Sequence, residues 1–110
     1  MYPYIIKDSL IQSLKVEALA SFTLSVEFIS LCDNFTLTWQ FNGKDITNDA
    51  NYVINISMTK QYHYNTSLKV AQSSGNDAGM YTVTISIPAG SVSENITVII
   101  MGMLLVVCIN

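Results

Sequence analysis

Asp77-Ala78-Gly79-Met80-Tyr81-Thr82-Val83-Thr84-Ile85-Ser86-Ile87 decides the fold. From Tyr81 to Ile87 every odd position is apolar and every even one carries a hydroxyl, the period of a strand with one face in a core and the other in water. The loop formers Ser73-Ser74-Gly75-Asn76-Asp77 precede it and Pro88-Ala89-Gly90 ends it, so the strand is bounded by turns on both sides.

The same alternation repeats outward in both directions. Downstream, a last strand runs from Val92 to about Ile100, with Ile96, Val98 and Ile100 inward and Asn95 and Thr97 outward. Upstream, Leu68 and Val70 point inward in a segment around Thr66 to Val70, as do the even positions of Tyr52 to Met58. Phe35, Leu37, Trp39 and Phe41 share one face, and Asn42-Gly43 follows as a hairpin turn that favours positive φ, leading into Lys44 to Ile46. Phe22, Leu24, Val26 and Phe28 form another apolar face, and a leading strand lies near Leu14 to Val16. Seven to eight short, turn-bounded strands without a sustained helical period predict an all-β, antiparallel sandwich, because a parallel sheet needs crossover helices.

Three features fall in a fixed order: Trp39 with the Asn42-Gly43 hairpin, the Leu68-x-Val70 pair, and Asp77-x-Gly79-x-Tyr81. Together they resemble the immunoglobulin superfamily, most closely its I-set type, over roughly residues 10 to 100. The resemblance implies that Trp39 is the core tryptophan and that the Tyr81 hydroxyl bonds back to the backbone at the corner. It also implies two cysteines joining the sheets, but those positions hold Val26 and Val83. A crosslink closing such a loop is worth about 4 kcal/mol, and two buried valines contribute roughly 1.5–3 kcal/mol each. The resemblance therefore implies a variant without the inter-sheet disulfide. Cys32 and Cys108 do not replace it, since opposite ends of a sandwich lie about 25 Å apart against a Cα limit near 7 Å.

Composition narrows the function. With 110 residues, half of them hydrophobic, the chain is the size of one domain with a real core. Five Lys and Arg residues, scattered in a chain of net charge −3, offer no basic patch for nucleic acid. Neither cysteine has zinc-site spacing, and the glycines are isolated, without a phosphate-binding loop. His63, the single histidine, has no acidic neighbour in sequence, and Asp45, Asp49 and Asp77 belong to turns and the corner. No catalytic group, cofactor or metal ligand set is expected, and the chain reads as a non-enzyme.

Four Asn-x-Ser/Thr sequons stand out, at Asn34, Asn55, Asn65 and Asn95. Strand parity turns Asn55, Asn65 and Asn95 away from the core and leaves Asn34 in a loop, so each is a candidate glycan acceptor. Thr36, Thr38, Gln40, Thr82, Thr84, Ser86 and Thr97 form an uncharged, hydroxyl-rich set of outward positions, a candidate face for another protein, homophilic or heterophilic.

The apolar run Ile96 to Ile109 is shorter than the roughly 20 residues of a membrane helix. Residues 101–110 are thus open to being a plain tail or the start of a truncated membrane span. No secretion signal opens the chain, so a secreted form would be a fragment of something longer. Sequons and tail favour a membrane-proximal ectodomain module of a cell-surface receptor or adhesion protein. The alternative, favoured by the absent cysteines, is an intracellular spacer in a giant muscle-type protein.

Overall fold

In the computed structural model of this chain, residues 3–7 and 10–101 are described. They form nine strands: β1 (Tyr4–Ile6), β2 (Ser13–Glu17), β3 (Phe22–Ile29), β4 (Thr36–Phe41), β5 (Lys44–Asp45), β6 (Val53–Lys60), β7 (His63–Val70), β8 (Gly79–Ile87) and β9 (Gly90–Met101). A short 3₁₀ turn, Gly75–Asp77, precedes β8. The strands make two sheets, β1-β3-β7-β6 and β2-β9-β8-β4-β5. Every pairing is antiparallel except that of β2 with β9. This is the two-sheet sandwich that the alternation predicts, in the immunoglobulin-like form that the resemblance implies, and the expectation of a wholly antiparallel one is corrected at β2, which runs parallel to β9. The strand that the alternation does not predict is β1, whose three residues are too few to display a period.

The side-chain pattern becomes the core. Phe22, Leu24, Val26 and Phe28 of β3 face Trp39 of β4 and Tyr81, Val83 and Ile85 of β8, and all are buried. Leu68 and Val70 of β7 and Ile96 and Val98 of β9 join the same cluster. Aromatic rings close it at both ends. Phe28 stacks on Tyr64 at 5.3 Å and Phe35 meets Tyr64 edge-on at 4.9 Å, while Phe22, Phe41 and Tyr52 surround Tyr81.

Between these ends, Val26 sits opposite Thr66 and Val83 opposite Trp39 in the strand registers. The Trp39 indole Nε1–H donates to Thr66 Oγ1 at 3.1 Å, and both residues are fully buried. Cys32 is a free thiol, and Cys108 lies outside the described residues.

The first strand changes sheets for a reason of parity. Ile5 points inward opposite Phe28, so continuing β1 along β3 would set Lys7 inward opposite Val26. The chain instead crosses to pair with β9, and Lys7 and Gln12, on either side of the crossing, reach one carboxylate. Gln12 Nε2 donates to Glu94 Oε1 at 3.2 Å, and Lys7 Nζ lies 3.7 Å from Glu94 Oε2.

Strand β6 departs from its expected pattern. Tyr52 and Ile54 pack against the core, but Ile56 and Met58 are 48% and 58% exposed. Their parity is inward, opposite Thr66 and Tyr64. However, β6 is an edge strand, and the edge strand of the other sheet, β5, is only two residues long and does not cover them.

Candidate interaction surface

The corner that sets the register of β8 is built around Asp77, Gly79 and Tyr81. Tyr81 Oη donates to the Asp77 carbonyl at 2.8 Å, and the Asp77 carboxylate accepts the Ser74 N–H at 2.8 Å. Burial, reinforced by Tyr52 and Asp77, pushes the Tyr81 phenol well above its ordinary range, and Tyr52 is raised for the same first reason. Gly79, at φ +154°, leaves room for Asn42, whose Oδ1 accepts the Met80 N–H at 2.9 Å. A Cβ on Gly79 would stand 2.6 Å from that oxygen and 2.9 Å from Phe41 Cε1. Asn42 and Gly43 take φ of 49° and 86°, the positive values a two-residue hairpin requires.

With register fixed, the outward residues of β4, β8 and β9 form one surface. Thr36 lies opposite Ser86, Thr38 opposite Thr84, and Gln40 opposite Thr82. On the other side of β8, Ser86 faces Ser91, Thr84 faces Ser93, Thr82 faces Asn95, and Met80 faces Thr97. Thr82 Oγ1 donates to Asn95 Oδ1 at 2.8 Å, and the Thr84 and Ser93 hydroxyls lie 2.8 Å apart. Thr36, Thr38, Gln40, Thr82, Thr84 and Thr97 thus share one face. Ser91, Ser93 and Asn95 belong to it as well, although the sequence reading did not group them there. Their shared parity with Thr97 is the signal that would have found them. At its centre the face holds hydroxyls and amides that both donate and accept, and no ionised group, while toward the Thr97 end it also exposes Met80, Ile99 and Met101. Charge enters only at its margins, with Asp45 opposite Gln40 and with Lys15 and Glu17 opposite Ile99 and Met101.

The sequons lie apart from one another. Asn34 is exposed in the loop between β3 and β4, Asn55 is exposed on β6, and Asn95 is exposed on β9. Asn65 is half-buried in β7, flanked by Glu27 and Ser57.

The remaining polar candidates are occupied by local structure. Asp45 Oδ1 accepts the Thr47 N–H at 2.9 Å, which holds its carboxyl below the usual range, and Asp49 Oδ1 accepts the Asn51 N–H at 2.9 Å. His63 Nδ1 lies 2.9 Å from the Gln61 carbonyl, to which it donates. Among the described residues no three His, Cys, Asp or Glu side chains converge. A cleft of about 170 Å³ between β2 and β3 is lined by Ile11, Leu14, Thr23, Leu24, Ser25 and Ile96, a set without a base. No helix among the described residues is long and apolar enough to cross a membrane. The tail from residue 102 onward lies outside the described residues.

Comparison with known proteins agrees with this architecture. Residues 5–100 match the immunoglobulin I-set domain family. No curated protein matches the chain in sequence. Among solved structures, titin domain M7 is 26% identical, covering 91% of this chain and 94% of that one, with a TM-score of 0.73. Titin M4 is 17% identical over 90% of this chain and 95% of that one, with a TM-score of 0.71. The complex of Dpr2 Ig1-Ig2 with DIP-Theta Ig1-Ig3 matches at 16% identity and a TM-score of 0.78, over 90% of this chain and 32% of that one. The chain is therefore similar in fold to domains of muscle proteins and to domains found in a complex of immunoglobulin-domain proteins.

Proposed function

Because this chain belongs to the immunoglobulin I-set family, we propose that it is a non-catalytic, protein-binding module of a cell-surface ectodomain, docking through the outward face of β4, β8 and β9. The observation that carries this reading is the uncharged surface that Thr36, Thr38, Gln40, Thr82, Thr84 and Thr97 share. Desolvating hydroxyls and amides costs far less than desolvating ions, and each can find a partner on an opposing surface. The exposed acceptors Asn34 and Asn55, which lie off this face, support the extracellular setting.

A second reading, an intracellular spacer in a tandem muscle-type array, is supported by the 26% identity to titin M7 and by Val26 and Val83 in place of a crosslink. Secretion of the chain from mammalian cells behind an added leader tests whether the sequons that the first reading needs are usable. The ectodomain reading expects an intact mass that falls on glycosidase treatment, and a chain carrying no glycan on any sequon would count for the spacer. Staining of intact cells with the labelled domain tests the face itself. Thr84→Arg, at its centre, should reduce staining about tenfold or more without changing the melting temperature.

A further inference from the structure

The sandwich has four edge strands, β1 and β6 in one sheet and β2 and β5 in the other. Three are protected in the ways natural sheets use. β1 and β5 are three and two residues long. β2 carries Lys15 and Glu17 along its five residues. β6 is interrupted only near its end, by a break in register against β7 between Met58 and Lys60; from Val53 to Met58 it pairs regularly, has no proline and carries no charge. Among the described residues its outer edge makes no backbone hydrogen bond. Beside that open edge stand Ile56 and Met58, large apolar side chains of inward parity that nothing in the facing sheet covers.

We propose that β6 is the interface between two copies of this chain, paired antiparallel about a two-fold axis at Ile56. In that register Ile56 faces Ile56 of the second copy and Ile54 faces Met58, so one face of the new ladder is wholly apolar. The other face sets Asn55 against Ser57, and the regular ladder ends where Val53 meets Thr59, at the break in register of β6. Lys60 falls outside the pairing, so copies that each carry a net charge of −3 meet along a seam without charge. The arrangement is isologous and closes on itself, which a two-fold contact requires. It completes the unused backbone donors and acceptors and gives Ile56 and Met58 the cover they lack.

The test uses the full chain made in bacteria, without N-glycans, so its outcome is independent of the ectodomain reading. Sedimentation equilibrium should show a concentration-dependent monomer–dimer equilibrium. Ile56→Lys should leave the molecule monomeric at tenfold higher concentration, with an unchanged circular dichroism spectrum. In a Cys32→Ser/Cys108→Ser background, Ile56→Cys should oxidise to a disulfide-linked dimer at least ten times faster than Val53→Cys. Facing residues of an antiparallel pair lie about 4.5–5.5 Å apart at Cα, within disulfide range, whereas Val53 faces Thr59. Association that survives Ile56→Lys, equal crosslinking at positions 53 and 56, or a strictly monomeric wild type would each overturn the proposal.

Discussion

Replacing Thr66 with valine isolates the interaction that lies beside Val26 and Val83, the positions of the family's crosslink. Thr66 and Trp39 are both fully buried, and among the described residues the indole N–H is satisfied by the 3.1 Å bond to Thr66 Oγ1 alone. No buried side-chain polar atom among the described residues lacks a partner. Valine keeps the shape of threonine and removes the acceptor. The orphaned donor should cost about 1–3 kcal/mol, against a total stability on the order of 5–15 kcal/mol for a domain of this kind. Each kcal/mol lowers the melting temperature of a chain this size by about 4–8 °C, so a loss of roughly 5–20 °C is expected. Trp39→Phe removes the donor and leaves a cavity, and the double variant removes both polar partners. Its loss should fall short of the sum of the single losses by about 1 kcal/mol, since neither group is then stranded. Urea denaturation followed by far-ultraviolet circular dichroism reads all four proteins, including those without the single tryptophan. A Thr66→Val variant within about 0.5 kcal/mol of wild type, or an additive cycle, would refute the reasoning.

Three further substitutions test the frame. Val26→Cys with Val83→Cys restores the family's pairing; closing so long a loop is worth about 4 kcal/mol, less the valine burial given up, so the melt should rise by several degrees and fall back on adding reductant. Gly79→Ala should cost about 1–3 kcal/mol by forcing Asn42 and Phe41 aside at a positive φ, and Asn42→Gly in the same chain should recover part of that loss in chemical denaturation. Tyr81 is raised in the folded state, so its neutral phenol favours folding and its contribution is fully present below the ordinary phenol value near pH 10. That contribution falls as pH climbs past 10 toward the folded value. Tyr81→Phe should therefore flatten the loss of stability between pH 9.5 and 11, while lowering stability at pH 7 by about 1 kcal/mol through the lost corner bond.

Alternation made most of the fold readable, because in a two-sheet sandwich burial follows parity wherever both faces of a strand have neighbours. That condition holds for β3, β7 and β8, where the apolar positions of inward parity, from Phe22 to Phe28, Tyr64 to Val70 and Tyr81 to Ile87, are all buried. It fails for β6, where parity still points Ile56 and Met58 inward but no facing strand lies beyond the short β5. Parity is a property of one strand and cover is a property of two, so the exposed edge was invisible in the sequence. Thr66 was hidden differently: it shares the parity of Leu68 and Val70, but a threonine inside a sequon reads as surface until the Trp39 donor is seen beside it. Ser73 is similar. It reads as a loop former, yet it is fully buried and its hydroxyl donates to the Glu17 carbonyl, a pairing between residues too distant in sequence for a local pattern to reveal.

The two proposed contact surfaces each carry a sequon of their own, which sets association against glycosylation. Asn95 lies within the β4-β8-β9 face, its Oδ1 bonded to Thr82 and its neighbours Ser93 and Thr97 on the same strand. A glycan on Asn95 would stand over Thr82 and Thr84, where the docking protein must come closest. Asn55 lies on β6, and in the two-fold pairing it stands across from Ser57 of the second copy, so two glycans would meet near the axis. In the ectodomain setting, a fully glycosylated chain should therefore be monomeric and weak in cell binding. Asn95→Gln should raise cell staining alone, and Asn55→Gln should raise dimer content alone. An equal effect of both substitutions on both measurements would show that glycans act here through general solubility, and the assignment of separate surfaces to the face and to the β6 edge would fail.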